Sequence, residues 1–210
     1  FYLHVCTFDN FHTHKSEIYR VITSHHNAER EWELAGAPFS IADDLDHGFA
    51  GVNKIVRISS GFSADVIAGN LDLPIRGFYT DPVFFNVFTF PLVKGNPATA
   101  LSKPNSVVIT ESTAKKVFNS TDVLGKNFEL KNVRQAKDSV AMYEITGVLA
   151  DPPANSHMAF EALVSLSTLP IEYQTYRGDF KDVGSYGQQY IYLLLNDNSV
   201  IPKLQARLDE

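Results

Sequence analysis

Cysteine is nearly absent from this sequence, with Cys6 as the one example among 210 residues. A lone cysteine excludes a disulfide bridge within the chain. It does not identify the cellular compartment, because larger exported domains can fold without disulfide bridges. Nothing in the sequence marks the thiol as a nucleophile, so we expect Cys6 to be an inert, half-buried side chain.

Long apolar runs are also missing. No stretch of 18 apolar residues occurs, so no part of the sequence has the signature of a membrane-spanning helix. The 18 Lys and Arg are outnumbered by 24 Asp and Glu, and their scatter disfavours nucleic-acid binding. Since the chain opens on Phe1 without a signal-peptide pattern and closes on Glu210 in an apparent helix, we expect it to continue beyond both ends.

Material for a hydrophobic core, by contrast, is plentiful. Hydrophobic residues make up 44% of the chain, and 15 residues are Phe. This content excludes a disordered chain, because disordered sequences carry far less apolar surface. The length is enough for one large domain or two small ones.

Sequence motifs for catalysis and cofactor binding do not occur. There is no G-x-S-x-G elbow, no P-loop and no G-x-G-x-x-G, so we expect no enzyme activity, nucleotide or cofactor in this segment. The histidine groups 12–14 and 25–26 lack the spacing of zinc ligands, and we interpret them as solvated loop side chains rather than as a metal site. Helical spacing places Asp43, Asp44 and Asp46 on a solvent-facing surface rather than at an acid–base site.

Periodicity predicts an α+β fold with more strand than helix. Residues 60–80 are predicted to form a hairpin around the turn at 69–70, and residues 25–35 to form a loop. Strands are predicted at 16–24, 52–59, 106–110, 127–130, 143–149, 159–167 and 190–195. Helices are predicted after Pro38, at 83–88, at 111–118 with Thr110 as N-cap, and at the chain end with Ser199 as cap.

Aromatic residues are dense in two places. In the stretch 79–118 their spacing fits core packing better than an exposed partner-binding patch, although the patch is the alternative. The residues concerned are Tyr79, Phe84, Phe85, Phe88 and Phe90. The second place is the Gly- and Tyr-rich loop 170–189, because tyrosine suits interfaces and long loops are often functional. The candidate partner-binding residues there are Tyr173, Tyr176, Tyr186 and Tyr190, with an ordinary surface loop as the alternative.

A series of short motifs runs in order along nearly the whole chain. They are Phe8-Asp9-Asn10-Phe11-His12, Ile18-Tyr19-Arg20-Val21, Asp81-Pro82-Val83-Phe84-Phe85, Phe90-Pro91-Leu92, Gly95-Asn96-Pro97, 106–114, Leu124-Gly125-Lys126, 143–149, Asp151-Pro152-Pro153 and Asn155-Ser156-His157. In this order they resemble the extracytoplasmic (periplasmic) core domain of MacB-like, FtsX-type ABC transporter permeases of the Bacteroidetes type. Cys6 and the pair His25–His26 depart from that pattern and take no role from it.

The resemblance implies a non-catalytic domain between the first and second of four transmembrane helices, on the periplasmic side of an inner (cytoplasmic) membrane permease. It implies a porter-like α/β lobe, formed by residues 1–90 plus 155–210, and an inserted β-rich lobe of residues 91–154 with one short helix. The implied partners are the permease's own transmembrane helices, a second copy of the permease, a separate cytoplasmic ATPase and a periplasmic adaptor. The implied function couples ATP hydrolysis to export (efflux) or to mechanotransmission across the membrane.

A free-standing periplasmic ligand-binding or sensor module is the alternative interpretation. The flanking sequence separates the two, because a permease requires one apolar segment of about 20 residues before Phe1 and three after Glu210. A hydrolase is a distant third class, which a pocket holding a convergent nucleophile and base would favour.

Overall fold

The computed structural model describes residues 9–26, 31–46, 49–68, 71–131, 133, 140–170 and 188–208. Their architecture is α+β with more strand than helix, which confirms the predicted fold class. The strands are β1 (Ile18–Val21), β2 (Thr23–His26), β3 (Glu31–Leu34), β4 (Val52–Ala68), β5 (Leu71–Thr80), β6 (Leu92–Gly95), β7 (Ser106–Thr110), β8 (Asn127–Lys131), β9 (Ala141–Leu149), β10 (Ala162–Ser165) and β11 (Gln189–Leu195). The α-helices are α1 (Ser40–Asp46), α2 (Phe84–Val87), α3 (Glu111–Phe118) and α4 (Ile201–Leu208). None of these helices has the length and apolar character needed to cross a bilayer.

One nine-stranded sheet dominates the described part of the chain. Its order is β1-β11-β4-β5-β10-β7-β9-β6, and β8 pairs with both β4 and β9. Because β8 bridges those two strands, β4, β5, β10, β7, β9 and β8 close into a ring. The first half of β4 pairs with β11, whereas its second half pairs with β8. The strand β4 therefore runs from an open part of the sheet, which carries β1 and β11, into the ring.

Alternation along the strands gives the sheet two apolar faces, each with its own hydrophobic core. In β7, Val107 and Ile109 belong to one core, here called core A, while Val108 belongs to the other, core B. In β11, Leu193 lies in core A and Tyr192 in core B. Burial on both faces explains why these strands read as continuous apolar runs. Helices pack on core A through Ala42, Leu45, Ala114 and Leu204, and on core B through Phe84 and Val87.

Core A contains a polar contact between strands on opposite sides of the ring. The Tyr79 side chain of β5 hydrogen-bonds that of Tyr143 in β9, and its ring meets that of Phe62 edge-on at 5.4 Å. Burial raises the pKa of both tyrosines, so both phenols stay neutral across the physiological range. Pairing the two hydroxyls avoids the penalty of leaving a buried polar group without a partner.

The predicted aromatic core is confirmed, with one correction about its members. Phe84, Phe88 and Phe90 are buried together in core B, and Phe85 packs against them half-buried. Tyr79 is equally buried but lies in core A, on the other face of the sheet. The five residues therefore do not form a single cluster, because β5 turns Tyr79 to the opposite side.

Helix α2 is held in place by an arginine–carboxylate contact at its start. The Asp81 carboxylate accepts hydrogen bonds of 2.9 Å from the Arg57 backbone N–H, from Nε and from Nη2. The Phe84 N–H in turn donates to the Asp81 backbone carbonyl at 3.1 Å. This bidentate geometry fixes the helix against β4 and explains why the polar Asp81 opens an aromatic segment.

Several local predictions are confirmed and others are wrong. Strand β7 and helix α3 match, and the Thr110 side chain accepts the Thr113 N–H as the predicted N-cap. The predicted cap Ser199 is wrong, because Asp197 caps the short 3-10 turn before α4. The loop predicted at 25–35 contains part of β2 and all of β3, which pair antiparallel. The strand predicted at 159–167 is shorter, since only 162–165 pair with β5 and β7. The predicted turn at 69–70 lies outside the described residues.

The predicted division into two lobes stays a prediction. Residues 91–154 supply β6, β7, α3, β8 and β9, which lie together at one side of the sheet. Hydrogen bonds join these strands to the rest of the sheet where β7 pairs with β10 and where β8 pairs with β4.

Candidate functional site

Asp9 joins the N-terminal segment to a distant part of the chain. Its backbone N–H donates to the Asn155 carbonyl at 2.9 Å. Its Oδ1 accepts the His157 N–H at 3.1 Å and the Ser156 hydroxyl at 3.3 Å. The residue has a left-handed backbone with φ 56°, a conformation that Asp tolerates better than most residues. This geometry turns its carboxylate onto the 155–157 segment.

His157 extends the contact into the sheet. Its Nδ1 lies 2.5 Å from Asp9 Oδ2, and its Nε2 lies 2.9 Å from the Tyr192 hydroxyl. Tyr192 belongs to β11 and is buried in core B. The side chains of Asp9, Ser156, His157 and Tyr192 are together called the Asp9 clamp. The clamp links the start of the described chain to β11, which pairs with β1 on one side and β4 on the other.

His12 lies buried close to the clamp. The prediction that it is a solvated loop histidine is therefore wrong. It is 4% exposed, and its ring lies 5.3 Å from those of both Phe88 and Phe90. Its Nδ1 accepts the Thr89 N–H at 3.0 Å. His14 is exposed as predicted and contacts Glu17 at 2.9 Å. Sequence spacing could not show which of these two histidines is buried. The burial of His12 comes from core B, which forms from residues far along the chain.

The Asp9, His157 and Tyr192 side chains are better suited to holding two chain segments together than to covalent catalysis. An Asp–His–Tyr series could orient a base, but burial raises the pKa of Tyr192, which disfavours its phenolate as a nucleophile. The Tyr192 hydroxyl is also engaged by His157. Within the described ranges, no three His, Cys, Asp or Glu side chains are placed to hold a metal ion.

A cavity of about 420 Å³ opens beside the clamp. His12, Phe88 and Tyr192 contribute to its wall, together with Ile18. Lys15 and Arg20 also line it and supply positive charge. This cavity, here called the His12 cavity, brings core side chains and charged groups to one place.

The predicted partner-binding loop can be placed at only one of its residues. Tyr173, Tyr176 and Tyr186 lie outside the described residues, as does Cys6. Tyr190 is in β11 opposite Ile58, half-buried against core B. The proposal of a tyrosine interface therefore rests on the sequence alone.

The clamp residues were not predicted to act together. Asp9 and His157 are 148 positions apart, and His157 and Tyr192 are 35 apart, so no local pattern joins them. A signal did exist, because Asp9 and Asn155-Ser156-His157 both fell within the family-like motifs, yet no chemical role was attached to either. Polar residues in such motifs that have no role in the core are candidates for contact with one another.

We expect Asp9→Gly to lower the free energy of unfolding by about 1–3 kcal/mol, because it removes the carboxylate from three donors. Glycine accepts a positive φ, so the variant removes the side chain without straining the backbone. The measurement is urea unfolding of the 210-residue chain. Asn105→Gly is the matched control, since Asn105 also has a positive φ of 58°. A loss no larger than that of the control would show that the clamp contributes nothing to stability.

The fold is shared by transporter domains of known structure. A domain assigned to a permease protein of Porphyromonas gingivalis superposes with a TM-score of 0.73 at 22% identity, covering 93% of this chain and 81% of that one. The periplasmic region of MacB from Actinobacillus actinomycetemcomitans gives a TM-score of 0.58 at 14% identity, covering 92% and 82%. The extracellular domain of the noncanonical ABC-type transporter YknZ from Gram-positive bacteria gives 0.57 at 16% identity, covering 89% and 87%.

Sequence comparison then identifies the family. The profile of the MacB-like periplasmic core domain matches residues 7–210. The chain therefore belongs to the MacB-like periplasmic core domain family, whose members are periplasmic domains of ABC transporter permeases. The resemblance noted from the short motifs is confirmed. A comparison with curated protein sequences gave no match.

Proposed function

We propose that this domain couples ATP hydrolysis by a separate cytoplasmic ATPase to export or to mechanotransmission across the membrane, without catalysing a reaction itself. The permease would lie in the inner membrane with this domain on the periplasmic side. Its partners would be its own transmembrane helices, a second copy of the permease, the ATPase and a periplasmic adaptor.

The observation that carries this proposal is the Asp9 clamp. In the family resemblance, the motif that contains Asp9 follows the first transmembrane helix. A displacement of that helix would reach Asp9 first, and the hydrogen bonds to His157 and Tyr192 would pass it to β11. Because β11 is hydrogen-bonded on both edges, the movement would involve the sheet instead of being absorbed in a loop.

The two-lobe division belongs to the same proposal. Residues 1–90 plus 155–210 would act as the porter-like lobe, and residues 91–154 as the inserted β-rich lobe. The position of β6, β7, β8 and β9 together at one side of the sheet supports this division, because all four strands come from residues 91–154. The tyrosines Tyr173, Tyr176, Tyr186 and Tyr190 would form the docking loop for a partner.

The proposal is tested on the full-length protein in its native host. The full reading frame should encode one apolar segment of about 20 residues before Phe1 and three after Glu210. Affinity purification of the tagged full-length chain from detergent-solubilised membranes should retain an ATPase subunit. A reading frame without such segments would instead favour a free-standing ligand-binding or sensor module and contradict the permease function.

A further inference from the structure

Strand β1 forms an outer edge of the nine-stranded sheet. It pairs with β11 on one side, and no strand of the described residues lies on its other side. The Leu195 N–H donates to the Glu17 carbonyl at 3.0 Å, so this pair and every second pair after it exchange hydrogen bonds. The residues between these pairs, Ile18 and Arg20, therefore direct their backbone groups away from β11.

The outward backbone groups of Arg20 are unpaired. Within the part of the chain that the structure describes, neither its N–H nor its carbonyl makes a hydrogen bond. Ile18 differs, because its N–H donates to the His14 carbonyl at 3.1 Å and only its own carbonyl remains available. The edge of β1 thus offers backbone donors and acceptors at the spacing that an added strand requires.

A cavity of about 630 Å³ runs along this edge. The consecutive residues 19–24 line it, whereas a cavity above one face of a strand would touch only alternate residues. Helices α1 and α4 also line it, through the half-buried side chains of Ile41, Ile201 and Leu208. Ile22 in the same lining is 44% exposed. The cavity therefore presents apolar surface that an occupant can reach.

The cavity also carries a negative charge from Glu33 of β3. Its side chain is exposed and makes no ion pair among the described residues. Arg20 lines the cavity too, but its side chain lies against the Tyr192 hydroxyl, on the core B side of the sheet. A basic side chain on the occupant would therefore complement Glu33.

From these observations we infer that β1 and the cavity beside it bind an extended polypeptide segment with apolar residues at alternate positions and a basic flank. The segment would add to the sheet antiparallel to β1, and one of its residues would exchange hydrogen bonds with the Arg20 backbone. The residues opposite Tyr19 and Val21 would then point to the core A side and into the cavity. A fatty acyl chain would leave the Arg20 N–H and carbonyl unpaired. This site is independent of the proposed coupling function, since it requires neither a membrane nor an ATPase.

The probe is the blocked peptide acetyl-Lys-Thr-Leu-Thr-Leu-Thr-Lys-amide, whose Leu residues would face the cavity. Two matched forms carry one N-methyl group, either on the central Thr or on the Leu that follows it. In the antiparallel arrangement the Thr N–H points to β1 and the Leu N–H points away from it. NMR titration of the ¹⁵N-labelled 210-residue chain should show saturable shifts at Tyr19 and Val21. Methylation of the Thr should weaken binding about tenfold, and methylation of the Leu should weaken it far less.

Variants of the chain assign the binding to this edge. Arg20→Pro removes the outward N–H, which takes no part in the pairing with β11, and is compared with Arg20→Ala, which loses the same guanidinium but keeps the N–H. The proline variant should bind the peptide about fivefold more weakly than the alanine variant. Ile22→Ser should weaken binding about threefold through lost apolar contact. Val93→Ser in β6, at a residue that is 49% exposed, is its control and should leave binding unchanged.

Unchanged amide spectra away from β1 would confirm that each variant is folded, and the methylated peptides test the inference on the natural chain alone. Absence of saturable shifts, a loss for the methylated Leu as large as for the methylated Thr, or equal binding by Arg20→Pro and Arg20→Ala would overturn the inference. Tighter binding of decanoate than of the peptide would identify an acyl chain as the occupant. Shifts of the same amides with chain concentration alone would identify a second copy of the chain. Either of these results would also overturn the inference.

Discussion

Phe84→Ala should lower the free energy of unfolding by about 3–5 kcal/mol. The Phe84 ring is fully buried in core B and lies 5.1–5.7 Å from the rings of Phe85, Phe88 and Phe90. Helix α2 has only four residues, so its backbone hydrogen bonds stabilise it little and packing must hold it. The substitution would leave a cavity that these aromatic neighbours cannot fill without leaving their own positions.

The matched control for this variant is Phe85→Ala in the same helix. Phe85 is half-buried at the edge of core B. Phe85→Ala should therefore lower the free energy of unfolding by about 1–2 kcal/mol, less than Phe84→Ala does. Urea unfolding followed by tryptophan fluorescence and by circular dichroism gives both values. Equal losses for the two variants would mean that Phe84 does not anchor the aromatic core.

Gly77→Ala is the second substitution with a large expected effect. A Cβ at position 77 would lie 1.9 Å from the Ala162 carbonyl oxygen and 2.8 Å from its carbon. Both atoms belong to the backbone of β10, which pairs in parallel with β5 at this residue. The clash can be relieved only by separating two strands of the ring, so we expect a loss of about 3 kcal/mol or more.

Gly125→Ala serves as its control. Gly125 has a φ of +74°, but no atom outside residue 125 and its two chain neighbours lies within 4 Å of the added Cβ. Gly125→Ala should lower the free energy of unfolding by about 1 kcal/mol, and this loss should come from backbone strain alone. If chemical denaturation showed Gly77→Ala to be no worse than Gly125→Ala, the close approach of β5 and β10 would be incorrect.

Elements with strong local signals were predictable from the sequence. The β-branched run of β7 and the Thr110 cap of α3 act within a few residues, and both were found where the pattern placed them. The aromatic stretch 84–90 was also assigned correctly to the core. In these places local preference and tertiary packing favour the same structure.

Elements that depend on distant pairing were not predictable. Residues 25–35, which contain the end of β2 and all of β3, were predicted as a loop because most of them are polar, although Glu31, Trp32, Glu33 and Leu34 alternate as a strand does. The length of β10 depends on how far β5 and β7 run beside it. The Asp9 clamp and the burial of His12 arise only when the N-terminal segment meets residues 89, 157 and 192. No periodicity in the sequence predicts contacts between segments so far apart in the chain.

The most direct test of the coupling account is hydrogen–deuterium exchange on the full-length permease bound to its ATPase, with and without ATP. In the natural protein, ATP should change exchange in peptides that cover residues 9–21 and 150–160. In Asp9→Gly, the change at 9–21 should remain and the change at 150–160 should become clearly smaller, because the side-chain bonds of the clamp are lost and only the backbone bond from residue 9 to Asn155 still joins the two segments. An undiminished ATP response at 150–160 in Asp9→Gly, or a domain that does not respond to ATP at all, would contradict the account.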